Sequence, residues 1–171
     1  SGISSAGAFR NVSGNNTYQG LITLNAAVRI NSDSGTLTLN PAAGSAITGT
    51  QNLTLGGAGN ITINDPIATS TGTLTKDGAG TLTLAGLSTF TGACTVNNGV
   101  VLLTGSISNS ASTVASGSTL RGTGVAGSVT VSAGGYLDPG AAQATVGSLA
   151  CANLTISGTH SNDLGGAASR D

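Results

Sequence analysis

From Gly35 onward, apolar and small polar residues alternate in short bursts. They read Gly35-Thr36-Leu37-Thr38-Leu39, Asn52-Leu53-Thr54-Leu55, Asn60-Ile61-Thr62-Ile63, Gly80-Thr81-Leu82-Thr83-Leu84, Ser128-Val129-Thr130-Val131 and Asn153-Leu154-Thr155-Ile156. A period of two marks strands with one buried face. Asp77-Gly78 and Asn98-Gly99 stand between bursts and supply φ > 0 at sharp turns. At Asn40-Pro41 and Asp65-Pro66 the residue before proline is pushed away from helical geometry, which marks further turns. The intervals leave no room for a helix.

The bursts recur at a fixed distance. Leu53 precedes Leu74 by 21 positions, Ile61 precedes Leu82 by 21, and Leu82 precedes Leu103 by 21. A unit of turn, short strand, turn and short strand cannot bury its own apolar face, so it needs copies above and below. The spacing predicts an all-β fold, a parallel β-helix or β-solenoid. At 21 residues a rung, 171 residues make roughly eight rungs, about 38 Å of rod at about 4.8 Å each. The pattern divides the chain into an irregular lead-in over 1–19, a solenoid over 20–157, and a polar tail or further rung over 158–171. The lead-in holds at most a strand around Ala8–Val12. Inward positions run from Leu37, Leu39, Leu53, Leu55, Ile61, Ile63, Leu74, Leu82, Leu84, Val96, Val101 and Leu103 to Val129, Val131, Leu154 and Ile156. Weaker strands are expected at Thr113-Val114 and Ser118-Thr119-Leu120, and the break from Asp138 to Thr145 should project from the rod.

Thr75-Lys76-Asp77-Gly78-Ala79-Gly80-Thr81-Leu82-Thr83-Leu84, followed by Ser88-Thr89-Phe90-Thr91-Gly92 and Val96-Asn97-Asn98-Gly99, resembles the passenger-associated transport repeat of bacterial autotransporters. In that family a K-x-G-x-G-x-L-x-L strand leads through an N-x-Y/F-T-G turn to T-x-I-N-x-G. Ser88-Thr89-Phe90 stands where Asn-Thr-Tyr is usual, and Cys94 precedes Thr95. Asn16-Thr17-Tyr18-Gln19-Gly20 resembles the same turn without the strand before it, and Gly135 to Gly140 with Val146 to Ile156 resemble the segment that often follows such repeats. The resemblance implies a right-handed parallel β-helix outside a bacterium, at the cell surface or secreted. No stretch reads as a signal peptide or translocator barrel, so it also implies a mature or excised part of a longer precursor. It implies no enzyme activity.

Composition sharpens the picture in three ways. Charged residues are only 6% and Glu is absent, whereas disordered chains are charge-rich; the Thr, Val and Ile content favours strands. Net charge is −1, with Arg10, Arg29, Lys76, Arg121 and Arg170 scattered singly, so no basic patch is available for nucleic acid. No apolar run reaches the length of a membrane span.

Candidate chemistry is sparse. Glycoside hydrolysis needs two carboxylates facing one groove. The acids are Asp33, Asp65, Asp77, Asp138, Asp163 and Asp171, and Asp65, Asp77 and Asp138 precede Pro or Gly in ways that turns explain. His160 is the only histidine and has no evident ligand or triad partner. Gly56-Gly57-Ala58-Gly59 begins like a calcium β-roll repeat but does not continue as one. Cys94 falls at an inward position and Cys151 lies 57 positions later, nearly three rungs away, so two separate thiols are expected with Cys94 buried. Asn11, Asn15, Asn52, Asn60 and Asn153 open N-x-S/T sequences, which the repeat itself accounts for. No catalytic, cofactor-binding or metal-binding residue is expected.

These readings point to a structural role as a stiff extracellular stalk or display and adhesion scaffold. Alternatives are a subunit of an end-to-end filament and a polysaccharide-binding or -cleaving β-helix. Phe9, Tyr18, Phe90 and Tyr136 are too scattered to form a sugar platform. Expected partners are neighbouring segments of a longer chain or further copies joined through the solenoid ends.

Overall fold

In a computed structural model, which describes residues 7–142 and 145–157, the chain winds into about seven turns of a parallel β-solenoid, with no helix among the described residues. Three faces make each turn. The first carries Phe9–Asn11, Val28–Ser32, Leu53–Gly56, Leu74–Lys76, Cys94–Val96, Ser112–Val114, Val129–Val131 and Leu154–Ile156, stacked in that order. The second carries Asn15–Tyr18, Thr36–Leu39, Asn60–Ile63, Thr81–Leu84, Val100–Leu103, Thr119–Gly122 and Tyr136–Asp138. The third is split into Ile22–Leu24, Ile47–Gly49 and Ile67–Ala68, then Ser106–Ile107, Val125–Ala126 and Ala150–Cys151. The tail expected over 158–171, with His160, Asp163, Arg170 and Asp171, lies outside the described residues.

The alternation in the sequence becomes a line of core. Leu82 sits between Ile61 and Val101, and Leu84 between Ile63 and Leu103, all of them buried. Each such side chain contributes about 1.5–3 kcal/mol on full burial. The corner between the first two faces is a column of glycines. Gly78 and Gly99 have φ of 75° and 72°, and a Cβ on either would lie 2.5 Å from the carbonyl oxygen of the glycine one turn back. Both the backbone conformation and the stacking distance therefore demand glycine there.

Four expectations change. The lead-in is not irregular: Phe9–Asn11 and Asn15–Tyr18 pair in register with Ile30–Ser32 and Thr36–Leu39, so the solenoid begins before Gly20. The 21-residue spacing holds at Leu53 to Leu74 but shrinks to 18 at Cys94 to Ser112 and 17 at Ser112 to Val129, then grows to 25 at Val129 to Leu154. Corners absorb the difference while strand partners stay aligned. Leu154 and Ile156 are 45% and 42% exposed rather than buried. Their strand is the last described on its face and packs against Val129–Val131 on one side only. Finally, Asp138 ends a strand opposite Arg121 instead of sitting in a turn.

Phe90 shows what the turns contribute. In its coil the Ser88–Gly92 segment runs where a third-face strand would be. Thr89 N donates to Ile67 O (3.0 Å), Thr91 N to Ser70 O (2.7 Å), and Ser88 Oγ accepts from Ile67 N (3.1 Å). Bonded down on the turn below, the segment directs Phe90 inward, where it is fully buried.

Candidate functional site along one corner of the coil

The charges, single in sequence, are drawn together by the winding. Arg29 Nη1 and Nη2 donate to Asp77 Oδ2 and Oδ1 at 2.6 and 2.7 Å, a bidentate pair between residues 48 positions apart. The guanidinium reaches across the intervening strand at Gly56, where a Cβ would collide with Asp77 Oδ1. Arg29 Nη2 also donates to Asn31 Oδ1 (3.0 Å), Asn31 Nδ2 to Asp33 Oδ1 (2.5 Å), and Arg10 Nε to Asp33 Oδ2 (2.6 Å). Five side chains thus form one clip along the first face. The hydrogen bond from Arg10 does most to hold the Asp33 carboxyl below its usual range; desolvation opposes it, and the Asn31 hydrogen bond and the Arg10 charge add to the lowering.

Lys76 completes this corner from inside. It occupies an inward place between Leu55 and Val96 and is 2% exposed. Its stem lies in the core while Nζ turns back to donate to Asp77 O (2.9 Å), Gly78 O (2.7 Å) and Asn98 O (3.0 Å). Lysine is therefore needed at the head of the K-x-G-x-G strand because it caps carbonyls that the left-handed glycines leave facing the core. Burial pushes its pKa down from 10.5 to about 8; Asp77 pulls it up and Arg29 pushes it further down. The sign of the linkage follows. Above about pH 8 the folded chain releases a proton that the unfolded chain keeps until about pH 10.5, so stability rises with pH across that window. Urea unfolding from pH 8 to 10 should show this rise, and Lys76→Met should remove it; a wild-type curve parallel to that of the variant would refute it.

Away from the clip the first face is uncharged. Thr54, Thr75, Thr95, Thr113, Thr130 and Thr155 stack in one register column. Asparagines at strand entrances tie turn to turn: Asn15, Asn52 and Asn60 each accept, through Oδ1, from the backbone N–H of Thr36, Thr73 and Thr81 at 2.9–3.0 Å. Each partner lies 21 residues on. This supplies the physical reason for the N-x-T sequences.

Cys94 and Cys151 are both free, Cys94 buried and Cys151 half-buried, as the spacing predicts. Burial pushes the Cys94 thiol up to about 12, with Ser112 opposing. A thiolate-specific reagent should therefore titrate one thiol in the native chain and a second only in denaturant. Rapid reaction of both without denaturant would contradict the burial of Cys94.

Of the acids considered for catalysis, Asp33 and Asp77 are engaged by guanidinium groups. One oxygen of Asp65 is buried without a hydrogen-bond partner. Among the described residues no cluster of His, Cys, Asp or Glu is grouped to hold a metal ion. The clip and the buried lysine were not legible in the sequence, where the same residues stood as isolated charges. The signal that could have found them is the register: Asn31 is paired with Gly56, which places Arg29 and Asp77 on either side of a residue without a side chain.

The family model of the passenger-associated-transport-repeat matches residues 11–28 and 74–103. No curated protein and no solved structure matches the chain. The second match covers the capping lysine, both corner glycines and the Phe90 turn. The first covers Tyr18, which ends a second-face strand instead of sitting in a turn, is 39% exposed and lays its ring edge-on to Phe9 at 5.2 Å. The chain is thus a parallel β-solenoid with two segments that match the passenger-associated-transport-repeat.

Proposed function

We propose that the chain is a stiff, extracellular segment of a bacterial surface protein, serving as a stalk or as a scaffold that displays other segments for adhesion. The observation that supports this most is the unbroken parallel pairing along the first face, from Phe9–Asn11 to Leu154–Ile156. Bending such a rod requires breaking ladder hydrogen bonds, and the uncharged threonine column leaves its solvation insensitive to salt. The passenger repeat supports a secreted or surface-exposed setting. The role is mechanical and spatial rather than catalytic. Negative-stain microscopy of the purified chain should show short, straight rods of uniform width; rounded or sharply bent particles would overturn this reading.

A second reading, a subunit of an end-to-end filament, is favoured by one observation. Leu154 and Ile156 expose apolar surface on the last described strand of the first face, which among the described residues pairs on one side. A head-to-tail contact there would be heterologous and non-closing, which generates an open fibre. Sedimentation across a wide concentration range separates the two: a concentration-independent monomer excludes the filament.

A further inference from the structure

Asn98-Gly99 is the one Asn-Gly pair in the sequence, and its geometry differs from that of six other asparagines whose Oδ1 accepts a hydrogen bond. Asn15, Asn52 and Asn60 place Oδ1 on an N–H one turn away, Asn11 on Asn16, Asn31 on Arg29, and Asn40 on Asn64. Asn98 is folded onto itself: its Oδ1 accepts from the N–H of the next residue, Gly99, at 2.7 Å. The Gly99 nitrogen is therefore held against the Asn98 side-chain amide, with no side chain on Gly99 to shield it. Lys76 Nζ stands 3.0 Å from Asn98 O, the carbonyl oxygen of the same peptide unit. Removing the proton from that N–H leaves negative charge shared with Asn98 O, where the ammonium is already in place. This is the arrangement that stabilises a developing oxyanion, combined with a nucleophile held beside its target.

We infer that Asn98 is a site of self-promoted deamidation, with the Gly99 nitrogen as nucleophile and Lys76 as the group that stabilises the charge. A solvent base takes the Gly99 N–H proton. The nitrogen forms a bond to Asn98 Cγ, the Cγ–Nδ2 bond breaks, and the amide leaves as ammonia after taking up a proton. Water then opens the cyclic imide. Cleavage on the Cγ side gives aspartate; cleavage on the main-chain side gives isoaspartate, with the backbone rerouted through the side chain. No oxidant or reductant is needed. Asp77-Gly78, the analogous pair one turn earlier, is spared because its carboxylate is a poor electrophile and is held by Arg29.

The isoaspartate product adds a methylene to the main chain where there is no room for it. A single Cβ at Gly99 would already lie 2.5 Å from Gly78 O and 2.6 Å from Gly80 O. The corner must then open, and Lys76 loses one of its carbonyl partners. The reaction would act as an irreversible clock on this turn of the coil.

The test is peptide mapping by mass spectrometry of the whole chain aged in neutral buffer, folded and in urea, with isoaspartate assayed separately. Conversion should concentrate at Asn98 and run several-fold faster in the folded chain than in the unfolded one. Lys76→Met should remove that excess without changing the rate in urea, and Asn98→Gln should lose the reaction. Should Lys76→Met fail to fold by circular dichroism, Lys76→Arg serves instead and should retain the excess, because it keeps the charge at the corner. Folded Asn98 converting no faster than unfolded, an unchanged rate in folded Lys76→Met, or loss of the excess in folded Lys76→Arg would overturn the assignment.

Discussion

Leu82→Asp is expected to unfold the chain, at a cost of more than about 4 kcal/mol. Leu82 is fully buried between Ile61 and Val101. A carboxylate there would have aliphatic neighbours above and below, and the buried cation Lys76 is committed to backbone carbonyls. Thr83 is the natural control. It belongs to the same strand, points to the other side, and is flanked by Thr62 and Leu102 at the half-exposed surface. Thr83→Asp should cost less than about 1 kcal/mol. Urea midpoints for the two variants should differ widely; comparable losses would mean that the inward and outward sides are misassigned.

Phe90→Ala should be nearly as damaging, at about 3–5 kcal/mol. The ring is fully buried at the centre of a turn that bonds to the coil below, so its removal leaves a cavity that those bonds keep from collapsing. Tyr18→Ala, in the other copy of the repeat, should cost about 0.5–1.5 kcal/mol, because its ring is partly exposed and makes one edge-on contact with Phe9. Equal thermal shifts would imply that both aromatics are core residues and would contradict the placement of Tyr18 on the second face.

The difference between these aromatics shows where the sequence was legible. Period-two alternation determined the strands and their buried sides, as at Leu37 and Leu39 or Val129 and Val131, because burial depends on parity alone. Asp77-Gly78 and Asn98-Gly99 announced their corners because few residues tolerate φ > 0. Phe90 was harder: it lies in a turn, where parity gives no direction, and only hydrogen bonds to Ile67 and Ser70 decide that it faces inward. The clip from Arg10 to Asp77 was harder still. It depends on which turn follows which, and coils of 17 to 25 residues cannot be counted from one fixed period. In the sequence Lys76 is indistinguishable from the other scattered charges because lysine in a core is rare; its burial makes sense only once the carbonyls of Gly78 and Asn98 are seen to face it.

The variable coil length has an evolutionary consequence. Insertions and deletions in this gene would be filtered by where they fall rather than by how large they are. One extra residue between Leu82 and Leu84 would exchange inside for outside along the rest of the strand. The same change between Asp138 and Ala150 would leave the pairing of Thr119–Gly122 with Tyr136–Asp138, and of Val125–Ala126 with Ala150–Cys151, untouched. Such a lineage can diversify by length at its corners while conserving its strands by parity, and a library of foreign peptides inserted after Asp138 should be retained far more often than one inserted after Leu82.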